Sequence, residues 1–198
     1  MPSMSDEVAA AGRTTAKRRA FISVSNKRDV FRFGALDELG TWEIISSGGT
    51  AKALTDLGIE VTPVEQVTNM REMMGGRLKT VHPQIFGPII ADRANPAHLQ
   101  DIARENMGLI DLVVVNFYNF KGDPSIENID VGGPTNVAAT AKNYASVTVV
   151  TDPADYSNIL HQFYSNGNTE LARRKWLASK AFRAIGQYYT DIGDWMLE

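Results

Sequence analysis

The chain alternates short unbroken apolar runs with stretches whose apolar positions recur every three or four residues. AFISVS (20–25) predicts a buried strand. NKRDVFRFGALDELG (26–40) then places Val30, Phe33, Leu36 and Leu39 at helical spacing and stops at Gly40, which predicts a helix. WEIISS (42–47) predicts a second strand, GGTAKALTDLG (48–58) a short helix ending on Gly58, and IEVTPV (59–64) a third strand. Residues 65–87 fit neither period, and PIIA (88–91) has the composition of a further short strand. NPAHLQDIAREN (95–106) opens with an Asn cap and a Pro at the first helical position. LIDLVVVNFY (109–118) is the strongest strand signal, and its unbroken apolar core implies burial on both faces, as in a parallel sheet. PTNVAATAKN (134–143) predicts a helix and SVTVVTD (146–152) a strand, and two helices near 153–165 and 168–196 close the chain. This alternation, without repeats or a Pro/Gly-rich linker, predicts one βαβ-type domain of the α/β class. In such a sheet the loops after the strands gather along one edge, where ligands bind.

Composition narrows the function. With 198 residues, 43% hydrophobic and 22% charged, the chain is long enough for one domain with a sizeable core. A formal net charge of -3 argues against a general nucleic-acid binder, whose footprint would be basic. It does not exclude a small anionic ligand, which needs only a few local cations. The absence of cysteine removes disulfide scaffolds, thiolate metal sites and Cys nucleophiles, and fits a reducing, cytoplasmic setting. No apolar run approaches the ~20 residues of a membrane span, and the N-terminus lacks the apolar core of a secretory signal. Residues 1–18, small, polar and basic towards their end, predict a disordered segment ahead of a single domain over 19–198. The three histidines are scattered and no metal-binding spacing or G-x-S-x-G elbow occurs, so neither a metal nor a Ser hydrolase is expected.

Three strand ends look like anion machinery. In SVSNK (23–27), Ser25 can cap the helix predicted there, and Lys27 would lie in its first turn, where a cation opposes the helix dipole unless an anion docks. In SSGGT (46–50), Gly48 and Gly49 let backbone N–H groups approach an anion at a helix N-terminus, and the hydroxyls of Ser47 and Thr50 add donors. In NFYNF…ENIDVGGPTNVAATAKN (116–143), Asn116 and Tyr118 end the most buried strand, Asp130 precedes Val131, Gly132 and Gly133, and Lys142 lies near the helix end. Taken singly, each has a structural alternative: a solvated lysine, a plain turn, a capping acid, a helix C-terminal charge, a core aromatic. GGRLKTVHPQIFG (75–87) adds a fourth cation-rich stretch, in which Arg77 and Lys79 alternate with Leu78 and Thr80 and would project to one side if extended.

Together, ISVSNK, SSGGTAKAL, EMMGGRLKTVHP, DLVVVNFYNF, ENIDVGGPTNVAATAKN, VVTDPADY and RRKWLASKAFRAIGQYYTDIGDWM resemble, in order and over roughly 19–198, the IMP cyclohydrolase domain of the bifunctional AICAR formyltransferase/IMP cyclohydrolase family. The resemblance implies the methylglyoxal-synthase-like fold, a doubly wound and mainly parallel sheet flanked by helices. It implies closure of formyl-AICAR to IMP with loss of water, with no cofactor. Ser25, Lys27, Ser47, Gly48, Gly49 and Thr50 match positions that hold the nucleotide phosphate. Arg77, Lys79 and Thr80 match residues lining the nucleotide site, Asn116 and Tyr118 positions around the reacting base, and Asp130, Val131, Gly132, Gly133 and Lys142 complete it.

On that basis Asp130 and Lys142 are expected to transfer protons, Lys79 to stabilise the oxyanion and Tyr118 to position the base. A homodimer is expected, with a separate transformylase supplying substrate, because the chain stops where the family's formyltransferase domain would begin. Departures from the family pattern are Phe86 for a second histidine after HP, Ala138 for an arginine, Asn119 for a proline, and a short loop over 119–127. A methylglyoxal synthase-like lyase and a non-catalytic nucleotide-binding module share the fold, but neither needs RLKT and IDVGG…AKN together.

Overall fold

The computed structural model describes residues 17–198, so the disordered segment expected at the N-terminus lies outside the described residues up to position 16. Five strands form one all-parallel sheet: β1 (Arg18–Val24), β2 (Trp42–Ser46), β3 (Thr62–Pro63), β4 (Leu112–Asn116) and β5 (Thr148–Val150), in the order β3-β2-β1-β4-β5. The chain winds outward from β1 to β3 and then restarts on the other side of β1 with β4. The sheet is therefore doubly wound as expected, and its crevice opens between the C-terminal ends of β1 and β4.

Among the described residues eight α-helices cover the faces: α1 (Gly34–Glu38), α2 (Gly48–Thr55), α3 (Val64–Thr68), α4 (Pro83–Ile90), α5 (Pro96–Arg104), α6 (Gly132–Lys142), α7 (Tyr156–Asn166) and α8 (Leu171–Trp195). The four apolar residues of β4, Leu112 to Val115, are buried because helices close both faces, as their unbroken run required. The core gathers Phe21, Ile22, Ile45 and Ile85 with Ile89, Val137 and Ile159. On one side α6 packs against β4, β5, α4 and α8; elsewhere α2 packs against β1 and β2.

Several boundaries differ from the sequence expectation for identifiable reasons. β1 starts two residues early because its charged end is paired: Arg19 bonds Glu43, its neighbour in register on β2, at 2.6 Å, and the Arg18 guanidinium lies 4.5 Å from the Trp42 ring centroid. The third strand shrinks to Thr62–Pro63, an edge position where the missing proline N–H costs no ladder bond. PIIA is the end of α4, not a strand. Pro83 begins that helix, and His82 Nδ1 caps it by accepting from the Gln84 N–H at 3.2 Å. His82 is thus a capping residue, and Phe86 packs on the core. The helix expected over 26–40 is a 3₁₀ turn at Val30–Phe33 followed by the short α1.

Candidate functional site

The residues that precede Val30 explain why that helix starts late. The Asn116 carboxamide at the end of β4 accepts from the Ser25 N–H (2.7 Å) and the Asn26 N–H (2.9 Å) and donates to the Asn26 carbonyl (3.0 Å). Asn26 Oδ1 accepts from the Arg28 N–H at 2.9 Å. The segment after β1 therefore wraps on Asn116 as a turn, and Asp29 takes φ 60° before the 3₁₀ turn. Ser25 caps no helix and Lys27 lies in no first turn, contrary to the expectation. Both still line the pocket at the sheet switch point, and Asn116 acts chiefly by clamping them in place.

That pocket, about 520 Å³, is bounded by four loops. The first carries Ser25 and Lys27. The second is the N-terminus of α2. The Ser47 carbonyl accepts from the Ala51 N–H (3.3 Å) but its side chain caps no N–H, and Gly48 takes φ +52°, a left-handed conformation that glycine adopts without penalty. The first N–H groups of α2 thus remain free of a side-chain cap, at the positive end of the helix dipole. A Cβ on Gly49 would lie 3.7 Å from Lys27 Nζ, and one on Gly48 3.6 Å from Lys79 Nζ, so two ammonium groups flank this terminus. Thr50 differs from expectation. Its buried hydroxyl accepts from the Val24 N–H (3.0 Å) and donates to the Val24 carbonyl (2.9 Å), so it ties α2 to β1 and has no proton left for an anion. Thr50→Val, which strands both Val24 groups, should cost about 1–3 kcal/mol of unfolding free energy in urea titrations.

The third loop is the cation-rich stretch that matched no period. Met73 and Leu78 exchange backbone hydrogen bonds of 3.0 and 3.3 Å, closing a tight loop in which Met74, Gly75 and Gly76 all have positive φ. Arg77 and Lys79 consequently do not act as a pair. Arg77 sits at the exposed mouth and bonds Glu127 from the fourth loop, whereas Lys79 is half-buried and turns inward towards Gly48 and Gly76. Because both partners of the Arg77–Glu127 pair are exposed, Arg77→Ala should change unfolding free energy by less than about 1 kcal/mol. Its effect should appear in KM.

The fourth loop leads into α6. Asp130 Oδ1 accepts from the Gly133 N–H at 2.8 Å, and a Cβ on Gly133 would come within 2.3 Å of Asp130 Oδ2, so a side chain there would displace the carboxylate. The Asp130 N–H donates to the Tyr188 hydroxyl (2.8 Å), which donates to the Asn128 carbonyl (3.1 Å). Tyr188 of α8, itself packed on Phe120 and Ile192, thereby fixes the segment that carries the acid. Burial pushes the Asp130 carboxyl above its ordinary value; the Gly133 N–H and the Lys79 ammonium oppose the shift without cancelling it. Tyr118 is 45% exposed and lines the mouth, with Val131 and Gly132 beside it.

Of the expected residues, Lys142 is not brought to the pocket. It is the exposed last residue of the 11-residue α6, roughly 15 Å along the axis from Gly132, where its charge complements the helix C-terminus. The sequence reading also missed two residues. Tyr188 contributes from far along the chain. Asn136 is only 1% exposed and lines the pocket one turn into α6; its signal was a polar residue amid the apolar positions of PTNVAATA, four places after Gly132.

Comparison with known proteins gives two family matches. The MGS-like domain family matches residues 31–135, and the AICARFT/IMPCHase bienzyme family matches residues 140–198. Curated relatives named "Bifunctional purine biosynthesis protein PurH" include one from Streptococcus suis, 46% identical over 188 residues, and one from Streptococcus gordonii, 45% identical over 188 residues. Both alignments cover 90% of this chain and 36% of the relative, so the chain spans about a third of the length of the curated relatives it matches. A solved structure titled "Crystal structure of ForH" superposes with a TM-score of 0.79 at 31% identity, covering 89% of this chain and 97% of that one.

Proposed function

The chain belongs to the MGS-like domain family, and on that premise we propose that it is an IMP cyclohydrolase, closing formyl-AICAR to IMP with loss of water. One observation carries the reading. A single pocket holds an uncapped helix N-terminus flanked by Lys27 and Lys79, and also a carboxyl whose pKa burial has raised, that of Asp130. The first half suits a nucleotide phosphate and the second suits proton transfer at the base. The purine-biosynthesis naming of the relatives and the match over 140–198 support the same reading. No observation favours the lyase or the binding module.

The substrate carries both reacting groups, so orienting them accounts for much of the acceleration; well-aligned intramolecular reactions gain about 7–11 kcal/mol. In the proposed sequence Asp130 accepts a proton from the carboxamide nitrogen as that nitrogen attacks the formyl carbon. The new N–C bond forms and the formyl C=O opens to an oxyanion, stabilised by the Lys79 ammonium. Protonation gives a ring-bound hydroxyl. A second proton expels it as water while the former formamide nitrogen loses its proton to form C=N, so no net proton is consumed. A raised carboxyl is a better base than an ordinary aspartate and can also return the proton. Tyr118 positions the base at the mouth. Lys142 takes no part within one protomer. The proposal extends to a cytoplasmic homodimer.

Purified protein mixed with formyl-AICAR should show the ultraviolet absorbance change of IMP formation. A rate equal to that in buffer alone would refute the assignment.

A further inference from the structure

The Asn136 carboxamide donates through Nδ2 to the Gly132 carbonyl at 2.9 Å and to Thr80 Oγ1 at 3.2 Å. A carbonyl can only accept, so Gly132 fixes which end of the amide is nitrogen. Oδ1 is then left buried without a partner, an arrangement folded proteins rarely keep. What it achieves is visible at Thr80. The Thr80 oxygen already accepts from Asn136, and among the described residues its own proton has no protein acceptor. Thr80 is 7% exposed and lines the pocket, 3.3 Å from where a Gly132 Cβ would sit.

We propose that Asn136 is a positioning residue that fixes Thr80 as a hydrogen-bond donor to a carbonyl oxygen of the bound nucleotide's base or carboxamide. A lone threonine hydroxyl can donate or accept. With its acceptor side held by Asn136, it discriminates for a ligand oxygen and against a ligand N–H at that point. The inference rests on the proposed reaction and specifies how that site reads its substrate.

The experiment measures kcat and KM for formyl-AICAR, the Kd of IMP by calorimetry and the melting temperature, in wild type, Asn136→Leu, Thr80→Val, Thr80→Ser and the Asn136→Leu/Thr80→Val double variant. Asn136→Leu removes two donated bonds together with the stranded Oδ1, so its melting temperature should stay within a few degrees of wild type. Its kcat/KM should fall about 10-fold or more, the scale of one ligand hydrogen bond (about 1.4 kcal/mol). Thr80→Val should match it, Thr80→Ser should restore most of the activity, and the double variant should be no worse than either single, because both act through one proton. Losses that multiply in the double variant, or an Asn136→Leu enzyme within twofold of wild type in both kcat/KM and IMP affinity, would overturn the proposal. A wild type that binds IMP but does not turn over formyl-AICAR would sink the reaction instead, and the ratio of IMP affinities would still decide the role of Asn136.

Discussion

Asp130→Asn should lower kcat for formyl-AICAR closure by about 10²–10⁴-fold, the usual contribution of a positioned acid–base group, while IMP affinity changes little. The asparagine can still accept from the Gly133 N–H that Asp130 Oδ1 engages, so the start of α6 keeps its geometry and the loss isolates proton transfer. Single-turnover absorbance traces with titrated IMP binding would separate the two effects, and unchanged turnover would remove Asp130 from the mechanism.

The same substitution should reveal an opposing effect on stability. The folded-state pKa of Asp130 lies above the ordinary 3.8, so the folded protein binds this proton more tightly than the unfolded chain does. Its ionised form therefore opposes folding. The penalty is absent below the unfolded value, grows as pH rises through it, and is complete above the folded one. At neutral pH Asp130→Asn should melt higher than wild type, and the difference should vanish as pH falls below 3.8. A variant less stable than wild type at pH 7 would contradict the burial argument.

Lys79→Ala should lower kcat by about 10²–10³-fold, the range seen when one donor to a developing oxyanion is deleted. Its KM should rise as well, because the Lys79 ammonium also lies beside the Gly48 end of α2. Lys27 flanks only the Gly49 side, so Lys27→Ala should raise KM and leave kcat within a few-fold. Equal effects of the two substitutions on kcat would place Lys79 at the phosphate alone.

Much of the fold was legible in the chain because parallel strands buried on both faces must be apolar throughout, as Leu112 to Val115 are. Legibility failed where a single side chain reorganises a segment from a distance. Asn116 unwinds the start of the helix expected after β1 by taking the Ser25 and Asn26 N–H groups, 91 and 90 residues away in sequence. The composition of PIIA suggested a short strand, yet Pro88 is accommodated inside α4. At the site, glycines and cations were readable because anion cradles demand them. Their division of labour was not: Arg77 closes the left-handed turn at Met74–Gly76 with a helical backbone, not the extended one that would align it with Lys79, and Thr50 bonds β1 rather than the cavity. Lys142 was misplaced because a sequence motif carries no distance, and a helix sets its two ends far apart.

The strand order has a consequence for the nascent chain. β1 is the centre of the sheet, paired on one side with β2 and on the other, from Ala20↔Leu112 to Val24↔Asn116, with β4. During synthesis the first three strands can assemble early, but the β4-facing edge of β1 keeps its backbone groups open until residue 116 has left the ribosome. Bare apolar edges recruit other chains, and long-range parallel pairing closes slowly. Translation pauses before residue 112 should therefore lower soluble yield, whereas pauses after β5 should not.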